Sequence, residues 1–354
     1  MRKIILFISF LIASTLSAQI NVLPYANAPT AEGIIYALPK TVLVIEVEAV
    51  KTIQKAGPYF QYSQRYLGTT EVISENKESW EITSIRLRTK TIADTAKSYK
   101  IIADGKAQIP SIVLNKKGII CSVNVPQEKQ GKQQPAPTPK MENAPASLPK
   151  VSFTNNAFTE DLALANSTAK IAEGIAKQIY RIRENRLSLI TADVDHMPAD
   201  GKSLELMLKN MNKTEQELME LFVGKTIKTS VKKVVEFIPE DNAQNIVIFR
   251  FSALNGLLPA NDLSGSPLYL NIAAEKKELK LPELSKKNPA YGLFYNIPGS
   301  AQLEITDGKK VFVEQEEVIA QFGSVQTLPV SLFSNKDIKI KFNTRTGAIE
   351  SIEK

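Results

Sequence analysis

Apolar and polar residues alternate along much of the first third of the chain. The clearest run is Tyr36–Val50, YALPKTVLVIEVEAV, in which Glu46 and Glu48 occupy alternate positions between apolar neighbours. A period of two is typical of a β-strand with one face on a core and the other in water. Strand-like runs continue to position 125, among them TTEVIS at Thr69–Ser74. The turns between these runs are supplied by Asn76, Asp104-Gly105 and Lys117-Gly118.

A proline-rich stretch interrupts the strand pattern. Segment 126–149 carries six prolines among Gln, Lys and Ala and offers almost nothing apolar to bury. Such a composition predicts an extended, solvated linker.

Helical spacing replaces alternation after the linker, within about 160–223. Isoleucines recur three or four residues apart at Ile171, Ile175, Ile179 and Ile182. The opposite face is charged, and the arginine cluster Arg181, Arg183 and Arg186 is expected on it.

A second helical pattern covers Gly201–Lys225. Ser203 is expected as an N-cap, Thr214 with Glu217 forms a capping-box pattern, and Gly224 marks the end. This spacing predicts two short helices in place of one long helix.

Strand patterns return at Thr226 and continue to the end of the chain. The sequence therefore predicts an α+β fold, made mostly of antiparallel β-sheets with a few helices, in two β-rich domains. We place an N-terminal β-rich domain at 30–125 and a C-terminal α+β domain at 150–354. Whether the two share a sheet is left open, because pairing between distant strands cannot be read from periodicity.

Residues 1–18 have the order of a secretory signal peptide. Arg2 and Lys3 precede an apolar run, and small residues end at Ala18. We expect cleavage there and an exported, periplasmic or extracellular product. It is expected to lack a lipid anchor, since no cysteine follows the cleavage point, and no later segment has the roughly 20 apolar residues of a membrane helix.

Composition narrows the functional classes. The formal charge of +7 is spread among interspersed acids and bases, which does not indicate a nucleic-acid partner. The single cysteine, Cys121, cannot form an internal disulfide and is expected to be a buried, inert thiol, with a cross-link to a partner as the alternative. The single histidine, His196, excludes a helix carrying two zinc-binding histidines, and serine-hydrolase and phosphate-loop motifs are absent. We expect no cofactor, and the composition favours a protein that is not an enzyme.

Aromatic residues concentrate in AGPYFQYSQRYLGTT, between Ala56 and Thr70. Pro58 suits the start of a short helix and Gly68 its end, which places Tyr59, Tyr62 and Tyr66 on one face. The spacing favours packing of the tyrosines against the sheet. The alternative is a glycan-binding platform formed by Tyr59, Tyr62, Arg65 and Tyr66, with Trp80 as a further ring.

Two groups of acidic residues are candidate sites. Asp193, Asp195 and Asp200 surround His196 and offer oxygen ligands for a cation such as calcium, although their spacing is not that of an EF-hand. The alternative is a turn leading into a capped helix. A glycosidase needs only two carboxylates on either side of the scissile bond. The candidate carboxylates are Glu46, Glu48, Glu314, Glu316 and Glu317.

Several segments together resemble an uncharacterised family of exported bacterial proteins, domain of unknown function 4831. The segments are YALPKT at Tyr36, GPYFQYSQRYLG at Gly57, RIRENRLSLITADVDHMPADGKSLE at Arg181, FRFSALNGLLPANDLSGSPLYL at Phe249 and AQFGSVQTLPVSLF near the end. The resemblance implies a protein acting in the cell envelope and implies no activity, cofactor or catalytic residue.

Three functions remain as hypotheses. The first is a non-catalytic envelope protein that binds or helps assemble another macromolecule. The second is a glycan-binding module, and the third is a carbohydrate-active hydrolase. The sequence does not indicate the oligomeric state.

Overall fold

The computed structural model describes residues 19–104, 107–125, 152–153, 167–196, 200–275 and 292–354. Within these ranges the chain is built mainly of antiparallel strands, which confirms the predicted α+β fold. The strands, in chain order, are β1 Gln19–Pro24, β2 Ile34–Lys55, β3 Lys77–Asp104, β4 Ile112–Leu114, β5 Ile120–Val123, β6 Lys225–Phe237, β7 Ile246–Ser252, β8 Gly256–Leu258, β9 Ser266–Ala274, β10 Gly292–Thr306, β11 Val311–Pro329, β12 Lys339–Phe342 and β13 Ile349–Glu353. The α-helices are α1 Ser63–Leu67, α2 Thr168–Ile190, α3 Gly201–Val223 and α4 Val330–Phe333, and 3₁₀ turns lie at Tyr25–Asn27 and Phe60–Tyr62.

The described strands form three sheets. The first has the order β1-β3-β2-β6, the second β11-β10-β9-β7-β8 and the third β13-β12-β5-β4. The long β2–β3 hairpin is the centre of the first sheet, with Glu46 opposite Arg86 and Glu48 opposite Ser84. Strand β6 pairs antiparallel with β2 along its whole length, and β12 pairs with β5.

Strands from both sides of segment 126–149 therefore belong to the same sheets, which answers the question that periodicity left open. Asn124 adds a further link. Its side-chain amide donates to the carbonyls of Phe333, Asn335 and Ile338 at 2.9–3.1 Å. The linker and the signal peptide lie outside the described residues, so the linker's extended conformation and the division into two domains stay predictions.

Strand β2 contributes to two cores from its opposite faces. Tyr36 and Leu38 belong to one buried cluster, whereas Leu43, Ile45 and Val47 belong to another. Successive side chains of a strand point to opposite faces, so even-numbered Tyr36 and Leu38 reach one core and odd-numbered Leu43, Ile45 and Val47 reach the other. Glu46 and Glu48 lie on the more exposed face, as their alternation predicts.

A third buried cluster joins the two long helices. Its apolar residues are Ala172, Ile175, Ala176, Ile179, Leu218, Leu221 and Phe222. The isoleucines at helical spacing therefore form the seam between α2 and α3. None of the described helices is long and apolar enough to cross a membrane.

Four local predictions are wrong. The pattern at Gly201–Lys225 forms one helix, α3, instead of two. Its N-cap is Asp200, which accepts from the Ser203 N–H at 2.8 Å, so Ser203 is not the cap but lies in the first turn. Thr214 lies inside the helix and donates to the Asn210 carbonyl at 3.0 Å. The segment at Thr69–Ser74 is irregular rather than a strand, and Pro58 lies in a turn ahead of the 3₁₀ helix. The predicted end of α3 at Gly224 is confirmed.

Candidate functional site

The aromatic segment after Gly57 packs against the pair of long helices. The Tyr59 N–H donates to the Leu221 carbonyl at 2.9 Å, and the Ser63 hydroxyl donates to the Phe222 carbonyl at 3.2 Å. A Cβ on Gly57 would lie 2.4 Å from the Leu221 oxygen, so only glycine permits this approach. The segment therefore satisfies carbonyls at the C-terminal end of α3, which the helix itself leaves unpaired.

The tyrosine rings are half-buried in the same contact. Tyr59 lies 6.0 Å from Phe222 between ring centroids, and Tyr62 stacks on Tyr66 at 6.1 Å. The guanidinium of exposed Arg65 lies 5.4 Å from the Tyr66 centroid. Burial raises the pKa of the Tyr59 hydroxyl. These contacts support the packing interpretation, and the glycan-platform interpretation of this segment stays a prediction.

The hydroxyls tie the aromatic segment to α2 as well. Tyr66 donates to the Ala169 carbonyl at 3.4 Å, and Tyr180 of α2 donates to the Tyr66 carbonyl at 3.0 Å. The sequence indicated the tyrosines but not this role, because their partners lie more than a hundred residues away. The base of the helix pair is thus fixed to the end of β2.

The sequence predicts that Arg183 and Arg186 lie on a solvated helix face, but their side chains reach across to α3 instead. Arg183 donates from Nε to Glu215 at 2.6 Å, and Arg186 donates to the other carboxylate oxygen of Glu215. Burial acts to raise the pKa of Glu215, but the hydrogen bonds from both arginines outweigh it, and the pKa is lowered overall. These ion pairs link α2 to α3 at the end of the apolar contact between the two helices.

Beyond that group, the far end of the helix pair carries exposed apolar side chains. Leu187 and Ile190 of α2 are 62% and 63% exposed, and Leu206 and Met207 of α3 are 59% and 45% exposed. We call these four residues the helix tip. Exposed leucines occur singly on most proteins, whereas a contiguous exposed apolar patch is typical of a contact surface.

The three aspartates of the predicted metal site lie next to the helix tip. The Asp200 carboxylate accepts from the Ser203 N–H and hydroxyl, at 2.8 and 3.1 Å, and the backbone hydrogen bond lowers its pKa. It is thus engaged as a helix cap. No group of three metal-binding side chains occurs among the described residues, and positions 197–199 lie outside them. A cation bound by Asp193, Asp195 and Asp200 stays a prediction.

Glu46 and Glu48 are engaged by neighbouring strands. Arg88 pairs with Glu46, and the Ser230 hydroxyl donates to Glu48 at 2.6 Å. This hydrogen bond lowers the pKa of Glu48, with Lys232 and Arg86 adding to the effect. Each carboxylate thus pairs with a cation or accepts a hydrogen bond, as is typical of carboxylates with a structural role on the solvent-facing side of a sheet.

A polar cleft of about 310 Å³ lies where β2, β3, β11 and the β12–β13 turn meet. Four threonines line it, Thr41, Thr89, Thr91 and Thr346, together with Glu316, Glu317 and Arg345. We call it the threonine cleft. The sequence indicates the glutamates of this cleft but none of its other residues. Thr89 and Thr91 are two positions apart, the spacing that places side chains on one face of a strand, and this spacing is the only sequence feature that points to the cleft.

Both carboxylates of the threonine cleft come from neighbouring positions of β11. The elements that face β11 contribute threonines, Asn343 and Arg345 to the lining, and no carboxylate among the described residues. A glycosidase needs its two carboxyl groups on either side of the bond that it cleaves. The described lining therefore does not place one carboxylate on each side of the cleft.

Trp80 and Cys121 have structural surroundings. The Trp80 ring covers Gly256, where a Cβ would lie 2.8 Å from ring atoms, and the Trp80 backbone N–H donates to the Ala253 carbonyl at 2.8 Å. Cys121 is half-buried in β5, and burial raises the pKa of its thiol. A raised pKa leaves less reactive thiolate at neutral pH.

The comparison with known families agrees with the resemblance seen in the sequence. The model of a family described as a domain of unknown function (DUF4831) matches residues 32–350, which include both long helices and strands of all three sheets, while β1 precedes the match. No curated protein and no solved structure matches the chain. The chain belongs to the DUF4831 family.

Proposed function

We propose that this protein is exported to the cell envelope, where it binds or helps assemble another protein without catalysing a reaction. The helix tip carries the proposal. Four apolar side chains are presented at the far end of a helix pair whose base is fixed to the sheets by the aromatic segment and whose seam is closed by Glu215. Apolar side chains in such a group gain free energy when a partner covers them.

The chemistry of the described residues supports a non-catalytic role. Glu46, Glu48 and Asp200 are engaged in hydrogen bonds or ion pairs. A catalytic site combines titratable groups of strongly perturbed pKa in a cleft. The raised pKa of Tyr36 belongs to a buried core residue instead.

The export part of the proposal rests on the signal-like residues 1–18. Strand β1 begins at Gln19, directly after the expected cleavage point, and pairs with β3 from its first residue. Cleavage after Ala18 would leave this pairing intact. N-terminal sequencing of the protein from a fractionated host should give Gln19, and an uncleaved chain in the cytosol would contradict export.

The proposal that the helix tip binds another protein is tested by comparing which proteins the wild type and two variants capture. The full chain, a Leu187→Ser/Ile190→Ser variant and a Leu254→Ser/Leu263→Ser variant are used as baits for envelope extracts. Leu254 and Leu263 are 75% and 81% exposed but lie outside the helices, so the second variant is a matched control. We expect a protein retained by the wild type and the control and lost with the tip variant. Equal retention by all three, or no retained protein in several detergents and salts, would rule the proposal out.

A further inference from the structure

We propose that the threonine cleft binds a saccharide ring through Glu316, Glu317, Arg345 and its threonine hydroxyls. The inference goes beyond the proposed protein contact, because the cleft and the helix tip share no residue. It also places glycan binding away from the aromatic segment, where the ring contacts are taken up by packing.

The hydrogen-bonding groups of the cleft match a ligand rich in hydroxyls. A sugar hydroxyl both donates and accepts, and so needs acceptors and donors close together. The Glu317 carboxylate accepts from the Gln315 side-chain amide at 2.9 Å. No other described residue donates a hydrogen bond to the Glu316 carboxylate or pairs with it, which leaves both of its oxygens available to accept. Arg345 donates from Nη2 to the Thr89 hydroxyl at 2.9 Å, and its other N–H groups are available to a ligand.

Threonine suits both surfaces of a sugar ring. Its hydroxyl can exchange hydrogen bonds with the ring substituents, while its methyl group can cover the C–H faces. Val318 adds a further apolar contact to the lining. The cleft thus offers small apolar contacts among polar ones, the combination found in small-molecule sites.

The charges of the cleft disfavour anions. Two carboxylates and one guanidinium line it, so its formal charge is negative when all three are ionised. A phosphate or an acidic glycan would be repelled by the uncompensated carboxylate. A neutral sugar has no such penalty and gains hydrogen bonds to charged partners, which are stronger than neutral ones.

Part of the wall is held in place before any ligand arrives. The Thr41 hydroxyl accepts from the Ala320 N–H at 3.0 Å, and the Arg345–Thr89 bond fixes the turn against β3. Pre-ordered walls reduce the entropy lost on binding. The volume lies at the lower end of the roughly 300–1,000 Å³ range of ligand pockets, which suits one or two rings at the end of a glycan.

Titration of the full chain with defined probes tests the inference. Glucose, galactose and N-acetylglucosamine are added singly and followed by ligand-observed NMR and calorimetry, with alanine as a zwitterionic probe and inorganic phosphate as an anionic one. We expect a neutral sugar to bind with a Kd of about 10 mM or tighter and neither other probe to compete.

The variants locate the site. Glu316→Gln keeps the shape of the side chain and removes its charge, and should weaken sugar binding by about tenfold. Glu314→Gln, on the same strand but outside the lining, should leave binding unchanged. An unchanged melting temperature shows that each variant is folded. Absence of binding by all three sugars, equal binding by both variants, or binding of alanine or phosphate alone would overturn the inference. Failure of the helix tip to capture a partner would not overturn this inference, because that result concerns the proposed protein contact and not the threonine cleft.

Discussion

The side-chain amide of Gln321 pairs with both backbone polar groups of Thr41. Its oxygen accepts from the Thr41 N–H at 2.9 Å, and its nitrogen donates to the Thr41 carbonyl at 3.0 Å. The amide thus takes the place of a neighbouring strand where β11 of the second sheet meets β2 of the first. The Thr41 hydroxyl reinforces the contact by accepting from the Ala320 N–H.

Removing this amide should loosen the contact between the two sheets. Gln321→Ala leaves both backbone groups of largely buried Thr41 without partners, which we expect to cost about 1–3 kcal/mol of unfolding free energy. Chemical denaturation measures the loss. Gln302→Ala is the control, because Gln302 is exposed and makes only a 3.5 Å contact with Glu314. Equal effects of the two substitutions would show that the Gln321 pairing does not stabilise the fold.

The Tyr36 hydroxyl bridges β2 to β10 inside the first core. It accepts from the Phe294 N–H at 2.8 Å and donates to the Phe294 carbonyl at 3.2 Å. Tyr36→Phe should lower the unfolding free energy by about 1–3 kcal/mol at neutral pH. Tyr25→Phe, at an exposed ring, should have no measurable effect.

Tyr36 should also contribute to the alkaline limit of stability. Burial raises its pKa well above 10.0, the value expected in the unfolded chain. Above pH 10.0 the unfolded state loses this proton while the folded state keeps it, so stability falls as pH rises. The fall should be less steep in Tyr36→Phe than in the wild type, when unfolding is measured across alkaline pH. Burial also raises the pKa values of Tyr59 and Tyr99. The stability of the Tyr36→Phe variant should therefore still fall with rising pH, but less steeply. Identical slopes would contradict a buried Tyr36.

The single tryptophan reports on the Gly256 turn. Gly256 has a φ of +76° and lies under the Trp80 ring, whereas Gly308 has a φ of +85° and no atom within 4 Å of an added Cβ. Gly308→Ala therefore measures the cost of a left-handed conformation alone, about 1–2 kcal/mol. Gly256→Ala should cost about 1–3 kcal/mol more, because the methyl group must displace the ring. It should also shift Trp80 fluorescence, which Gly308→Ala should leave unchanged. An unaltered emission spectrum in Gly256→Ala would refute the contact.

The Glu215 ion pairs should make the helix pair sensitive to acid. The folded pKa of Glu215 lies below its ordinary value of 4.5, so its stabilising contribution is present above that pH and is lost as pH falls further. Glu215→Gln should reduce stability by about 1 kcal/mol at neutral pH and remove this part of the acid transition. Far-UV circular dichroism during acid titration follows the helices. Glu217→Gln is the control, since its contact with Lys213 is 3.9 Å long and near the surface. An acid midpoint equal to that of the wild type would contradict the role of Glu215.

The failed predictions share a cause. Thr214 and Glu217 match a capping box, yet the helix continues through them. In the last turns of α3, Leu218, Leu221 and Phe222 pack against α2. Glu215 holds Arg183 and Arg186 of α2 one turn earlier. The Thr69–Ser74 run alternates like a strand, but Ile73 donates its N–H to the Val223 carbonyl at the end of α3 instead of joining a ladder. In each case a tertiary contact outweighed a local preference of about 1 kcal/mol.

The sequence by itself determined most of the element types, the end of α3 at Gly224, the isoleucine seam of α2 and the wet face that carries Glu46 and Glu48. These features depend on the period of apolar residues and on glycine's backbone freedom, both of which are local along the chain. Only the tertiary structure decided that Ser230, 182 positions away, hydrogen-bonds to Glu48, or that Arg345 reaches Thr89 to build one wall of a cleft. Such contacts depend on which strands pair and which faces are buried together, and no short stretch of sequence carries that information.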